Sequence, residues 1–148
     1  MLTVPVTPAH VDAIYAIECE CFSTPWSKTA FLQELKDRHT IAFASFDTVT
    51  DELAGYTFMR HIINEGHINN IAVAPLHRGR GIASLLMDAL LAEALTREMI
   101  GLALEVRQGN RAAMALYHKY GFLVEGYRRD YYRDPNEDAI LMYKNLVC

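Results

Sequence analysis

No apolar run in this 148-residue sequence approaches the roughly 20 residues that would span a bilayer. Met1 to Pro8 lacks a cationic segment followed by an apolar one, so no secretory signal is expected. Basic residues are not in excess: 14 Lys and Arg stand against 18 Asp and Glu, for a formal net charge of −4. That balance argues against a general nucleic-acid binder, which needs a basic face, and favours a basic partner or a cationic substrate. Cysteine is scarce and odd in number: Cys19, Cys21 and Cys148. Cys19 and Cys21 lie two apart, on different sides of any helix that holds them. No CxxC or HExxH spacing occurs, so no metal site is expected, and the cysteines read as reduced packing residues of a cytoplasmic protein. Linkers, repeats and low-complexity stretches are also missing. The length fits one domain over residues 1–148.

What is there is a globular composition, 51% hydrophobic and 22% charged. Leu2 to Val6 predicts a short strand. Thr7 is a good N-cap and Pro8 suits the first helical position, with Val11, Ile14, Tyr15, Ile17 and Phe22 recurring at helical spacing. Ser23-Thr24-Pro25-Trp26 breaks that helix. Ser27 caps a second, with Phe31, Leu32 and Leu35 on its inner face. Three apolar runs follow, His39 to Phe46, Leu53 to Ile62 and His67 to Val73, separated by Asp47 to Glu52 and by Asn64-Glu65-Gly66. They predict an antiparallel meander.

A long helix is expected from about Gly81 to Met99, with Leu85, Leu86, Ala89, Leu90 and Leu95 as its buried stripe. Ile100 to Val106 reads as a strand buried on both faces. Asn110 to Tyr120 is a helix that Gly121 can end in the left-handed conformation. Phe122 to Tyr132 and Asp138 to Leu146 are the last strands. The order β-α-α-β-β-β-α-β-α-β-β implies an α/β (α+β) fold, a mixed sheet flanked by helices.

Three segments stand out chemically. In Val73-Ala74-Pro75-Leu76-His77-Arg78-Gly79-Arg80-Gly81-Ile82-Ala83 a strand enters a Gly-rich turn and the turn enters a long helix. Free backbone N–H groups and the positive end of the helix dipole suit a phosphate there. It is neither a Walker loop, since GxxxxGK[ST] is absent, nor a dinucleotide GxGxxG, which would need glycine at Ser84. A Gly-rich turn with no ligand fits the spacing equally well. In Leu102-Ala103-Leu104-Glu105-Val106-Arg107 a carboxylate sits near the end of an apolar strand, where it must be paired or functional. Pairing with Arg107 or Arg78 on an edge is the simpler reading of that segment alone. In Asn110 to Phe122, Asn110 can cap the helix and Tyr117 lies two turns on along roughly the same face. A half-buried packing tyrosine is the commoner case.

Together these residues resemble the GNAT acetyltransferase family. Arg78-Gly79-Arg80-Gly81-Ile82-Ala83 is similar to its coenzyme A signature, [QR]-x-x-G-x-[GA]. Asn110 with Ala115-Leu116-Tyr117 and Tyr120-Gly121-Phe122 is similar to its later motif. Phe22-Ser23-Thr24-Pro25-Trp26-Ser27, Asn70-Ile71-Ala72-Val73, Leu104-Glu105-Val106-Arg107, Arg128-Arg129-Asp130-Tyr131-Tyr132 and Glu137-Asp138-Ala139 resemble a bacterial branch. Its members acetylate the N-terminal alanine of a small-subunit ribosomal protein, the eighteenth. Ala83 stands where glycine is commoner, as the signature permits.

The resemblance implies a mostly antiparallel sheet in which the third meander strand and the strand of Glu105 splay apart around acetyl-coenzyme A. Backbone groups of Ile71, Ala72 and Val73 would hold the pantetheine arm. Backbone N–H groups of Gly79, Arg80, Gly81, Ile82, Ala83 and Ser84 would hold the pyrophosphate, with Arg78 in the same coenzyme-binding turn, and Asn110 would contact the coenzyme. Glu105 is the candidate base and Tyr117 the candidate acid. Phe22, Trp26, Tyr131 and Tyr132 are expected to wall the peptide groove, with packing an open alternative for Phe22 and Trp26. The expected partner is a protein N-terminus, that of a ribosomal protein, with no nucleic acid and no membrane. Cys19 and Cys21 fall in the first helix, so direct transfer in a ternary complex is expected rather than a covalent relay. The rivals are the same chemistry on a lysine, a polyamine or a small metabolite, a coenzyme-binding module without catalysis, and a general nucleotide-binding domain.

Overall fold

The computed structural model describes residues 1–147; Cys148 lies outside the described residues. Seven strands form one sheet: β1 (Leu2–Pro5), β2 (Thr40–Phe46), β3 (Leu53–Ile62), β4 (Glu65–Val73), β5 (Gly101–Arg107), β6 (Leu123–Tyr132) and β7 (Glu137–Asn145). Four helices cover it: α1 (Val11–Cys21), α2 (Lys28–Lys36), α3 (Ile82–Thr96) and α4 (Arg111–Lys119). The strand order is β1-β2-β3-β4-β5-β7-β6, antiparallel throughout except where β4 and β5 run parallel. The expected element order and mixed sheet are therefore present.

β3, the third strand across the sheet, is buried from Leu53 to Met59. Its Tyr56 and Phe58 pack with Ile14, Ile17 and Phe31 of α1 and α2. Met59 packs with Met87 and Leu90 of α3. Two of the three caps read from sequence hold their helices in place: Ser27 Oγ accepts from Ala30 N at 3.0 Å, and Asn110 Oδ1 from Ala113 N at 3.1 Å, whereas Thr7 and Pro8 open a 3-10 turn, Pro8–His10, and α1 begins at Val11.

Three expectations change. The buried stripe of α3 is Ile82, Leu86, Met87, Leu90 and Ala94, whereas Leu85 and Leu95 are exposed. Each of those two leucines sits beside a core position, about 100° around the helix from it, so an all-apolar helix hid its true face. β5 is not buried on both faces: Leu102, Leu104 and Val106 are buried, while Ala103, Glu105 and Arg107 form a half-open face. The turn before β4 is tighter than expected. It falls at Ile63-Asn64, with Ile63 at φ 58°, and Glu65 and Gly66 already belong to the strand.

The pairing of β4 with β5 opens the molecule. It runs from Glu65 opposite Gly101 to Ile68 opposite Leu104 and then stops. On its other side β4 stays paired with β3 up to Val73, but Met59 pairs with Ile68 and Phe58 with Asn70, so Asn69 is an extra, bulged residue. A bulge bends its strand. Beyond it, Asn69 to Val73 and Glu105 to Arg107 diverge, and a cleft runs through the sheet.

Candidate active site

Two cavities meet in this cleft. One, of about 430 Å³, is lined by Ile71, Ala72 and Val73 and by the Gly-rich turn before α3. The other, of about 460 Å³, is lined by Glu18, Trp26, Glu105, Tyr117 and Tyr132, among others. They share Cys21, Phe22, Ile71, Asn110 and Ala113, which mark the junction.

The turn is shaped as an anion cradle. Gly79 and Gly81 have φ of 78° and 76°, a conformation costly for other residues, and a Cβ at either would meet nothing within 4 Å. Gly81 is the N-cap of α3 and brings no side chain to it. Leu85 N to Gly81 O is the first helical bond, so the N–H groups of Ile82, Ala83 and Ser84 have no helical acceptor. Ile82 is buried among Ala54 and Leu86, which fixes the helix end against the sheet.

The two arginines of the turn are placed differently. Arg80 pairs with Asp47 at 2.9 Å and approaches buried His77 at 2.8 Å. The amides of Val49 and Thr50 and the Arg80 guanidinium hold the Asp47 carboxyl at about 2. Arg78 folds back over the end of β4, its Nε 3.3 Å from the Val73 carbonyl and its Nη2 3.4 Å from Cys21 Sγ. Of the two, only Arg78 lines a cavity.

In the second cavity, Glu105 is paired with neither Arg107 nor Arg78. Its Oε2 lies 2.6 Å from His67 Nε2, and His67 Nδ1 lies 3.0 Å from Asn69 Oδ1. Arg107 instead crosses to the β6–β7 turn, donating to the carbonyls of Arg133 (2.8 Å) and Pro135 (3.0 Å), with its guanidinium 4.5 Å above the Tyr132 ring. Tyr132 is thus held as a wall. Burial, and then the Glu105 charge, push its phenol up to about 12.

The end of α4 sets the place of Tyr117. Tyr120 caps the helix, Gly121 follows at φ 87°, Gly121 N–H donates to His118 O and Phe122 N–H to Tyr117 O. This is a Schellman turn, and its usual apolar contact is made by the Tyr117 and Phe122 rings, 5.6 Å apart. Tyr117 is a core residue that also lines the cavity, and burial raises its phenol above the usual range. Trp26 likewise does both, packing 5.3 Å from Phe31 while lining the cavity; Phe22 lines both cavities. Tyr131 is 47% exposed and lines neither cavity, standing edge-on to Tyr132 at 5.1 Å.

Sequence reasoning missed Glu18 and His67. Glu18 is only 3% exposed, yet it accepts from Trp26 N (3.0 Å), Asn70 Nδ2 (3.2 Å) and the Tyr56 hydroxyl. It ties α1, β3, β4 and the Trp26 loop together at one point of the cavity. The signal was there: Glu18 falls on the Val11, Ile14 stripe, a core position occupied by a charge. His67 carried no comparable signal, because its partner is 38 residues away.

Residues 11–122 match the family described as "Acetyltransferase (GNAT) family". The chain belongs to this family. It is a GNAT N-acetyltransferase, and this family uses acetyl-coenzyme A. It is 33% identical over 92% of its length, and 89% of the relative's, to a Bacillus subtilis protein named putative [ribosomal protein bS18]-alanine N-acetyltransferase. It is 35% identical over 93% of its length, and 92% of the relative's, to the [ribosomal protein bS18]-alanine N-acetyltransferase of Salmonella typhimurium. The crystal structure of the Escherichia coli ribosomal-protein-S18-alanine N-acetyltransferase superposes with a TM-score of 0.91 at 30% identity, covering 99% of this GNAT chain and 94% of the other.

Proposed function

We propose that this GNAT enzyme moves an acetyl group from acetyl-coenzyme A to the N-terminal amine of a protein, the alanine of ribosomal protein bS18, in a ternary complex. The relatives' names support the substrate class. The observation that carries the chemistry is the junction: a cavity with an anion cradle opens into a cavity holding Glu105 and Tyr117, and five residues belong to both. Cytoplasm, where ribosomal proteins are made, is the place of this reaction.

Acetyl-coenzyme A, when bound, supplies the acetyl group and the sulfur leaving group. The N–H groups of Ile82, Ala83 and Ser84 and the glycines of the turn hold its pyrophosphate, and the opened edge of β4 from Ile71 to Val73 lies along its arm. Asn110 closes the junction from α4. On the other side Phe22, Trp26 and Tyr132 enclose the incoming peptide end. Tyr131 supports Tyr132 from outside, and Arg80 acts by bracing the turn rather than by touching the coenzyme.

The amine must attack as a neutral nucleophile. An α-amine has a pKa near 7.7–8.0 against about 10.4 for lysine, a difference of about 3.4 kcal/mol in deprotonation cost. Glu105 takes the proton, directly or through a water, and needs far less basicity to do so for an N-terminus. Tyr117, kept protonated by burial, donates to the departing sulfur. A coenzyme-binding module would need neither residue.

The test is a panel of peptides beginning with Ala, Ser and Met, a blocked N-terminus and an internal lysine, assayed with acetyl-coenzyme A. The Ala-starting peptide carrying the bS18 sequence should give the highest kcat/KM, and the blocked peptide none. Preference for the internal lysine would overturn the reading. Within the same assay Tyr117→Phe should lower kcat by about 100-fold, the lower end of the range for general acid catalysis, at unchanged affinity for acetyl-coenzyme A. A full-rate Phe variant would reduce Tyr117 to a packing residue.

A further inference from the structure

His67 has no part in the reading above, yet it is the group closest to the candidate base. It stands opposite Ala103, one residue before Ile68 and Leu104 make the last pairing of β4 with β5. Glu105 is the first residue of β5 beyond that pairing. The imidazole therefore sits at the root of the cleft and reaches the carboxylate across it.

Both ring nitrogens of His67 are engaged: Nδ1 lies 3.0 Å from Asn69 Oδ1 and Nε2 2.6 Å from Glu105 Oε2, so the imidazole is held at two points. Asn69 is the bulged residue, so the irregularity that bends β4 also supplies the amide that orients the ring. Glu105 lines the acceptor cavity, whereas His67 does not, although its side chain is 32% exposed against 18% for Glu105. His67 takes one carboxylate oxygen, Oε2; among the described residues Oε1 has no hydrogen-bond partner, and Glu105 lines the cavity. A glutamate on a long, rotatable stem needs such a second contact to act from one fixed place.

We propose that His67 is the positioning residue of this active site: by holding Oε2 of Glu105 it presents Oε1 to the substrate amine. The proposal rests on the reading of Glu105 as the base. It adds what fixes that base and explains why the carboxylate is not drawn off to Arg107, two residues along the same face.

The test is a double-mutant cycle, because a residue that acts through Glu105 loses its effect when the base is gone. His67→Ala should lower kcat by about 10- to 100-fold, the size of a small misplacement of a catalytic group. KM for acetyl-coenzyme A, its calorimetric Kd and the melting temperature should stay close to those of the parent. In a Glu105→Gln background the same change should cost less than about 2-fold. His67→Gln, whose amide N–H reaches about as far as Nε2, should recover most of the rate, and His67→Asn should not. A full-rate His67→Ala enzyme, or an equal loss in both backgrounds, would overturn the proposal and leave the base intact. Full activity of Glu105→Gln by itself would instead remove the base reading. Should the Ala variant fail to fold, the Gln and Asn pair decides, equal rates counting against His67.

Discussion

Glu105→Gln should give folded protein that still binds acetyl-coenzyme A and loses kcat/KM by roughly 10²–10⁴-fold, the range typical of general-base removal. The substitution keeps the shape and removes the proton acceptor. Gln can still accept a hydrogen bond from His67, so the cleft should not rearrange. The loss should depend on pH in one direction. At about pH 6.5 most of the peptide's α-amine, with its pKa near 7.7–8.0, is protonated and needs a base; at about pH 9 it is already neutral. The gap between parent and variant should therefore narrow as pH rises. Initial rates against peptide concentration at both pH values measure it. An undiminished gap at the higher pH would mean that Glu105 holds the peptide's positive end by charge rather than taking its proton. Full activity at both would take Glu105 out of the mechanism.

Gly81→Asp should weaken acetyl-coenzyme A binding by about 100-fold, while Gly81→Asn should weaken it far less. Both side chains fit the empty space beside Gly81 and both tolerate its left-handed backbone, with φ of 76°. They differ in charge. Aspartate would cap the helix N-terminus itself, occupying the N–H groups of α3 and repelling a phosphate. The figure corresponds to the loss of about two hydrogen bonds to a charged group, at roughly 1.5 kcal/mol each. Calorimetric titration of both variants separates charge from strain. Parent-like affinity of a folded Asp variant would place the pyrophosphate elsewhere.

Patterns of short range were legible in the sequence. Alternation, caps and Gly signals placed every strand and helix within a few residues, because each depends on neighbours along the chain. Ser27, Asn110 and Gly121 do at their helix ends what their types suggest. The Gly-rich turn could be located, but its uncapped helix end and the cavity beside it could not. Less legible was anything decided by a partner far away. The sequence does not say where the side chains of Arg78 and Arg80 go; Arg80 turns to Asp47 and Arg78 to the Val73 carbonyl. Glu105 could be marked as a carboxylate in need of a partner, but His67 could not be named, since the pairing depends on register between β4 and β5. Glu18 was hidden because helical spacing was read for apolar residues only. Leu85 and Leu95 went the other way, apolar residues on a solvent face.

The seam between β4 and β5 leaves backbone groups of five residues, Asn69 to Val73, without a strand partner on that side of the sheet. A sheet interrupted in its middle is a sheet with two extra edges, and edges are where strands fray and foreign strands add on. On the proposed reading, the arm of acetyl-coenzyme A would take the place of the missing strand. Ligand that binds only the folded chain raises stability with its concentration. Resistance of this enzyme to proteolysis should therefore rise as acetyl-coenzyme A is titrated in.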